Sequence, residues 1–288
     1  MQNLAWIDGT INDISKAKIS IEDRGYLLGD GVYEVIRIYN SHPFYLNAHL
    51  KRLQISAGAI RIDIPYAMED IKTTVQGLIE ASGCSDGYIY IQLTRGRAKR
   101  DHLFPAGAKP KMVIYVRELD PIPEIDAIRP QHCITLPDER WMNCYIKTIN
   151  LLPNLLARQK AAEAGAIEAI LYRPGEVVTE GTRSNVFAVI DGRVMTHPET
   201  NLILSGITRR IVLDILENLS IPFSEESFTL RDLEKASEVW ITSSTMEVNP
   251  VGEIDGRSIN GFAIGSICLR LMKEFRKQIA ENCFEDVT

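Results

Sequence analysis

Apolar and polar residues alternate with period two in "GYIYIQLTRG" and "KMVIYVREL", the signature of half-buried strands. "AWIDGTIND" reads as a hairpin turning at Asp8-Gly9, and "GVYEVIRIYNSHPFYL" as two strands around Asn40 to Pro43. The period then lengthens. Leu50, Leu53, Ala57 and Ile60 fall on one face of a helix for which Asn47 is the predicted cap. A second helix is predicted over Met68 to Ala81, with Ile71, Val75, Leu78 and Ile79 turned inward. These elements make a small N-terminal α/β unit over residues 1–118.

"DPIPEIDAIRP" interrupts the pattern, because its prolines resist regular structure, and residues 119–132 are read as an interdomain linker. The second domain is expected over 133–288. It holds a helix after Pro153 closed by Gly165, a strand "AIEAILYR", and a hairpin "SNVFAVIDGRVMTHP" turning at Asp191-Gly192. "SGITRRIVLDILENL" is a loop leading into a helix, "SEVWITSSTMEVNPVGEIDG" is strand-rich, and a helix from about Ala263 to Glu281 closes the chain.

Composition narrows the function classes. The chain has 288 residues, is 45% hydrophobic and 24% charged, and carries a net charge of −6. No basic stripe is present to track a phosphate backbone, which argues against nucleic acid as a partner. No uncharged apolar run reaches the length of a membrane span, and the first residues show no secretory signal, so no membrane partner is expected. The cysteines Cys84, Cys133, Cys144, Cys268 and Cys283 are scattered without a C-x-x-C pair, so neither a zinc site nor a disulfide framework is expected. A cytoplasmic location fits that usage.

One segment stands out. "WMNCYIKTINLLPNLLA" holds a single charged residue, Lys147. Either its ammonium snorkels to solvent, or it is held inside for chemistry. Desolvation by Trp141, Ile146, Ile149 and Leu151 would lower its pKa and leave a nucleophilic, Schiff-base-forming amine. Other candidates follow. Glu180 in "VVTEGTRSNVF" is either a solvated residue at a strand end or the partner of a pyridine nitrogen. Ser205, Gly206, Ile207 and Thr208 precede an amphipathic helix whose free N–H groups suit a phosphate, or are an ordinary cap. Thr242, Ser243, Ser244 and Thr245 form a hydroxyl cluster at a strand end that suits a phosphate or a turn. Arg52 is a surface cation or a phosphate anchor. "TRGRAKRDHLFP" places Arg100 and His102 two apart among other cations, where they can converge on a carboxylate. Tyr33 is placed so that its hydroxyl can face a pocket.

In order along the chain, "EDRGYLLGDGVYEVIR", "HLKRL", "TRGRAKRDH", "IKTINLL", "VTEGTRSNVF", "GITR" and "TSSTMEVNPV" resemble the fold-type IV pyridoxal-phosphate enzymes over nearly the whole length. That group includes branched-chain aminotransferases, D-amino-acid aminotransferases and aminodeoxychorismate lyases. "EDRGYLLGDGVYEV" and "RDHLFP" look most like the bacterial D-amino-acid aminotransferases. The resemblance implies an α/β (α+β) two-domain fold, with a small N-terminal α/β domain and a larger C-terminal pseudo-barrel domain that binds pyridoxal 5'-phosphate. It implies that Lys147 forms the Schiff base and shuttles the proton at Cα, and that Glu180 holds the pyridine nitrogen. Arg52, Ile207, Thr208, Ser243 and Ser244 would bind the phosphate, and Leu204 would pack on the ring. Tyr33, Arg100 and His102 would trap the substrate carboxylate, the last two reaching across from the partner of a homodimer. The implied reaction is a ping-pong transfer of an amino group from a D-amino acid of the D-Ala, D-Glu or D-Asp type to 2-oxoglutarate or pyruvate. Alternatives on the same scaffold are a branched-chain L-aminotransferase and a lyase releasing pyruvate. Where the D-specific group is often all small hydroxyl residues, this chain has "GTRSN". Arg183 points to solvent, pairs with an acid, or reaches the substrate and favours acidic side chains.

Overall fold

The computed structural model describes residues 2–283. The chain forms two compact units. One comprises the chain up to Pro121, residues Ile146–Asn150 and the end of the last helix; the other comprises Ile122–Tyr145 and Leu151–Gln278.

The first unit is a six-stranded antiparallel sheet in the order β2-β1-β6-β5-β3-β4. Its strands are β1 (Leu4–Ile7), β2 (Thr10–Asp13), β3 (Gly31–Tyr39), β4 (His42–Pro43), β5 (Gly87–Thr94) and β6 (Lys111–Glu118). A short α1 (Arg24–Leu28) precedes β3, and α2 (Leu46–Ala59) and α3 (Met68–Ser82) join β4 to β5. The predicted hairpin at Asp8-Gly9 is present, with both residues at positive φ (42° and 94°), as a tight two-residue hairpin turn requires. Val32, Ile36, Ile89, Ile91 and Ile114 from the sheet pack with Leu50, Leu53, Ile71, Val75, Leu78 and Ile79 from α2 and α3. The expected inward faces of both helices are therefore the buried ones. Asn47 is not the cap of α2. The helix starts one residue earlier at Leu46, behind a left-handed Tyr45 (φ 54°), and Ile60 falls just past its end. Tyr45, in the cap position, is left-handed rather than extended and makes no side-chain cap bond.

The second unit is built on a mixed sheet in the order β12-β11-β10-β13-β14-β7-β8-β9, with β15 beside β14. These strands are β7 (Gln131–Pro137), β8 (Glu168–Arg173), β9 (Val177–Gly181), β10 (Asn185–Ile190), β11 (Arg193–Thr196), β12 (Phe223–Glu225), β13 (Glu238–Ser243), β14 (Glu247–Ile254) and β15 (Arg257–Ser258). The helices are α4 (Leu152–Glu163), α5 (Ile207–Asn218), α6 (Leu230–Leu233) and α7 (Ser266–Cys283), of which α7 runs on into the first unit. Gly165 lies one residue past the cap of α4 with φ 73°, the left-handed stop the sequence predicts. The last helix begins at Ser266 rather than Ala263, because Asn260–Phe262 forms a separate 3-10 turn and Ala263 is extended. Residues 119–132 contain one 3-10 turn, Ile125–Ala127, before β7 starts at Gln131.

One difference from the sequence-based division bears on function. The sequence places residues 146–150 in the second domain, yet they pack with the first. Thr148 bridges Val32 in β3, and Ile146 joins the apolar core under that strand.

Candidate functional site

Lys147 is fixed by its backbone. Its carbonyl accepts from the Tyr33 N–H (2.9 Å), and its own N–H donates to Ser56 Oγ on α2 (3.1 Å). Ile149 N–H and Thr148 Oγ1 both donate to the Gly31 carbonyl (3.1 and 3.0 Å), so the segment runs along the start of β3 like a short extra strand. The Lys147 side chain is half-buried, and its Nζ lies 4.5 Å from the centroid of the Tyr33 ring. The ring's negative face attracts a cation placed over it. Tyr33 in turn stacks on Tyr90, 5.6 Å between centroids. Trp141, expected to desolvate Lys147, is itself 42% exposed; the aromatic ring over the amine is that of Tyr33.

Arg52 sits on the buried face of α2 with His49 and Ser56, at helical spacing. Its guanidinium engages Glu34 of β3 in a two-point pair, Nε to Oε1 at 2.7 Å and Nη2 to Oε2 at 2.8 Å. His49 Nδ1 reaches the same carboxylate at 2.8 Å. Burial alone would raise the Glu34 pKa, but the Arg52 charge and its hydrogen bonds hold it well below the usual carboxylate range. Burial depresses His49, with the Arg52 and Lys147 charges adding to the effect against the pull of Glu34. The structure thus gathers Lys147, Tyr33 and Arg52 into one cluster with Glu34 and His49. Arg100 and His102 are both exposed, on the irregular stretch between β5 and β6, and take no part in that buried cluster.

In the second unit, Glu180 ends β9 and is 4% exposed. It is not a solvated strand-end residue. Arg140 Nη1 donates to Oε1, while Asn185 Nδ2 (3.0 Å) and the Leu204 N–H (2.9 Å) donate to Oε2. Burial pushes the Glu180 carboxyl above its ordinary value against the pull of Arg140. Arg140 stays cationic despite its own burial, because Glu180 and Asp138 hold it so. A carboxylate offers about four acceptor positions, so a further donor such as a pyridine N–H can be accommodated. Its positive charge would relieve the desolvation that raises this carboxyl.

Leu204 leads into α5. Ile207 and Thr208, the first residues of α5, are buried, and its cap residue Gly206 supplies no side-chain acceptor. A helix start of this kind suits an anion. At the end of β13, Thr242 Oγ1 and Ser243 Oγ are buried and have no hydrogen-bond partner among the described residues, and Ser244 beside them is half-buried. Buried hydroxyls without partners are costly, and a phosphate would satisfy them. By their chemistry the groups of the second unit fit parts of pyridoxal phosphate: a buried carboxylate with spare acceptor capacity, a helix start without a side-chain cap, and hydroxyls without partners among the described residues; Lys147 of the first unit is an amine of the kind that attaches it.

Arg183 lies at the tip of the turn that joins β9 to β10, closed by the Gly181 N–H donating to the Ser184 carbonyl. Thr182 and Ser184 on either side turn inward to Glu168 (3.1 and 2.9 Å), so Arg183 is left exposed, its Nη2 3.7 Å from Met246 Sδ. Sequence reasoning missed Glu34, His49 and Arg140. Glu34 had a signal: it shares the inward period of Val32, Ile36 and Ile38, all at 0% exposure. Arg140 had no signal linking it to Glu180, since that carboxylate lies 40 residues on, while its other partner Asp138 is two residues away.

Residues 31–254 match the family model of the amino-transferase class IV proteins. A D-alanine aminotransferase of Staphylococcus haemolyticus is 42% identical over 275 residues, covering 95% of this chain and 97% of the relative. A D-alanine aminotransferase of Bacillus licheniformis is 42% identical over 280 residues, covering 97% and 98%. Among solved structures, the branched-chain aminotransferase of Thermoproteus uzoniensis superposes with a TM-score of 0.89 at 28% identity, over 98% of this chain and 96% of that one. A second branched-chain amino acid aminotransferase, solved with pyridoxamine 5'-phosphate, gives 0.89 at 28% identity, over 98% and 95%. The Escherichia coli branched-chain enzyme shares the fold, with a TM-score of 0.91 at 24% identity, over 100% and 97%.

Proposed function

The chain belongs to the class IV aminotransferases, and we propose that it works as a D-amino-acid aminotransferase of the D-alanine type. The observation that carries this reading is the 42% identity with D-alanine aminotransferases along 95% of the chain. The branched-chain neighbours agree with it in fold. The cofactor is pyridoxal 5'-phosphate, whose ring, when bound, withdraws electrons from the substrate Cα.

The settings of the residues support the following roles. Lys147 is the amine that attaches the cofactor, and its freed amine moves the proton at Cα. The aromatic face of Tyr33 holds that amine in one place between the two duties. Glu180 keeps a proton on the pyridine nitrogen, with Arg140 keeping Glu180 charged. Thr208, Ile207, Ser243 and Ser244 take the phosphate, with Arg52 anchored on Glu34 as their cationic complement, and Leu204 packs on the ring. Tyr33, Arg100 and His102 receive the substrate carboxylate. The exposure of Arg100 and His102 agrees with a role toward a second copy of the chain. The reading therefore includes a homodimer, in which each Arg100/His102 pair serves the partner.

The half-reactions run in turn: a D-amino acid leaves as its 2-oxo acid, and 2-oxoglutarate or pyruvate then takes up the amino group. Arg183 is exposed beside Met246, which favours the solvent-facing reading over contact with an acidic substrate side chain. The buried free thiols, with no disulfide among the described residues, accord with a cytoplasmic setting. Among the described residues no helix is long and apolar enough to cross a membrane.

The test is a paired assay on the cofactor-loaded protein, with D-alanine or L-leucine as donor and 2-oxoglutarate as acceptor. Turnover of D-alanine alone is the expected result. Turnover of L-leucine alone would keep Lys147 and Glu180 in their roles and overturn the assignment of the carboxylate site.

A further inference from the structure

Arg100 and His102 are exposed, yet the backbone that carries them is tied down from beneath. Between them lies Asp101, whose carbonyl accepts from Arg24 Nη1 at 2.6 Å. Two residues beyond His102, the Phe104 ring covers the Arg95 guanidinium, 3.6 Å from its centroid. Both guanidinium groups are buried, with side-chain exposures of 3% for Arg24 and 8% for Arg95. A single carboxylate serves both of them. Asp30 Oδ2 accepts from Arg24 Nε (2.7 Å) and from Arg95 Nε (2.8 Å), and Oδ1 accepts from Arg95 Nη2 (3.0 Å). The remaining Arg95 donors reach the carbonyls of Arg61 (2.9 Å) and Ile60 (2.7 Å), which fixes its plane under the ring.

We propose that Asp30 is a positioning residue for carboxylate recognition: through Arg24 and Arg95 it sets the place of the loop that presents Arg100 and His102. The proposal rests on the reading above that those two residues bind the substrate carboxylate. A recognition loop on the surface must be rigid to offer a cation and an imidazole at one geometry, and this one is exposed from Arg100 to Phe104. Two buried cations hold this exposed stretch from beneath. Neither can remain buried without the anion between them, because an unpaired buried charge is strongly disfavoured. Arg24 and Arg95 hold the loop by different means, a hydrogen bond to the backbone and a stacked ring. Loss of Asp30 releases both at once.

Steady-state kinetics on the pyridoxal-phosphate-loaded enzyme test this with Asp30→Asn, Arg24→Lys and, as a reference, Arg100→Ala. D-Alaninol, which lacks the carboxylate, serves as a probe in single-turnover reactions. All three variants are expected to raise KM for D-alanine and for 2-oxoglutarate by about tenfold, the scale of a small misplacement of a binding group, with kcat within about twofold of the parent. The rate with D-alaninol is expected to stay at the parental value. Arg24→Lys keeps a charge beside Asp30 while losing the guanidinium fork, so it decides the matter if Asp30→Asn does not fold. Equal losses with D-alanine and D-alaninol would show a general structural role and overturn the proposal. So would an unchanged KM in Arg24→Lys where Arg100→Ala raises it. An unchanged KM in Arg100→Ala would overturn the carboxylate reading itself, and this proposal with it.

Discussion

Glu34 and Arg52 are joined at two points inside the first unit, both hydrogen bonds at or below 2.8 Å, with Glu34 at 0% exposure. A planar fork against a carboxylate is the strongest geometry available to such a pair. Removing one partner strands the other charge in the core. Glu34→Gln is therefore expected to destabilise the protein by about 3–5 kcal/mol, the cost of breaking a buried pair. Replacing both residues by apolar ones of similar volume should recover much of that loss. Chemical denaturation of the two variants beside the parent measures both values, and a Glu34→Gln loss below about 1 kcal/mol would refute the assignment of a buried ionised pair.

The same pair sets a pH dependence. The folded-state pKa of Glu34 is lowered, so its contribution is fully present above the ordinary glutamate value of about 4.3. It is lost as pH falls from there through the folded value, because the unfolded chain takes up the proton first. The stability gap between the parent and Glu34→Gln should hold constant from about pH 7 to about pH 5 and narrow below about pH 4. Denaturant melts at steps across that range check the sign. A gap that widens in acid would mean that Glu34 is protonated in the folded protein.

Much of this architecture is legible in the chain. Strand periods, the helix faces of α2 and α3, and the turns at Asp8-Gly9 and Asp191-Gly192 depend on neighbours a few residues apart, and the structure has them as expected. Lys147 stands out in sequence as the one charge of an apolar segment, but apolar character does not say which residues are covered or which ring lies over the amine. Trp141 is exposed, and the partner is Tyr33, more than a hundred residues away. Partners of charged groups are the least visible of all. Asp30 with Arg95 and Glu180 with Arg140 are pairs of 65 and 40 residues' separation, and no local pattern selects one carboxylate over another.

Glu180 carries the next prediction. Burial already pushes its carboxyl up, and Arg140 restrains it. Arg140→Met removes that restraint, so the carboxyl should titrate at higher pH still. The acid limb of the kcat profile is expected to move to higher pH, with the D-alanine KM little changed. Glu180→Gln should abolish that limb and lower kcat by about 10²-fold or more, the scale of a lost proton-holding group. A profile in Arg140→Met that overlays the parent would detach Glu180 from the rate.

Lys147 admits a cleaner separation of roles. Lys147→Ala should lower kcat by about 10²–10⁴-fold, the range for a lost general base, and by more where attachment also fails. The hydroxyls and the helix start proposed to hold the phosphate are untouched, so the cofactor should still be retained on gel filtration. Added methylamine should restore part of the rate, because a free amine can occupy the space over the Tyr33 ring. Complete loss of cofactor in this variant would move the main anchor from the phosphate site to Lys147.

The proposed dimer has a candidate surface on α4. Leu152, Leu155 and Leu156 are 66%, 60% and 53% exposed, spaced so that they share one face of that helix. Trp141 and Met142, 42% and 54% exposed, precede it in the same unit. Apolar side chains in such number are uncommon on a surface that faces only water. On a free surface Leu155→Glu would be nearly neutral for folding, whereas in the centre of an interface it places a charge where water is excluded. Sedimentation equilibrium is expected to show a dimer dissociation constant raised about 30-fold or more by Leu155→Glu, equivalent to about 2 kcal/mol. Because Arg100 and His102 are proposed to serve the partner's site, activity per chain should also fall on dilution and return at high protein concentration. A variant that stays dimeric at every concentration would take α4 out of the interface. One that dissociates while keeping full activity per chain would show that each chain binds the carboxylate with its own residues.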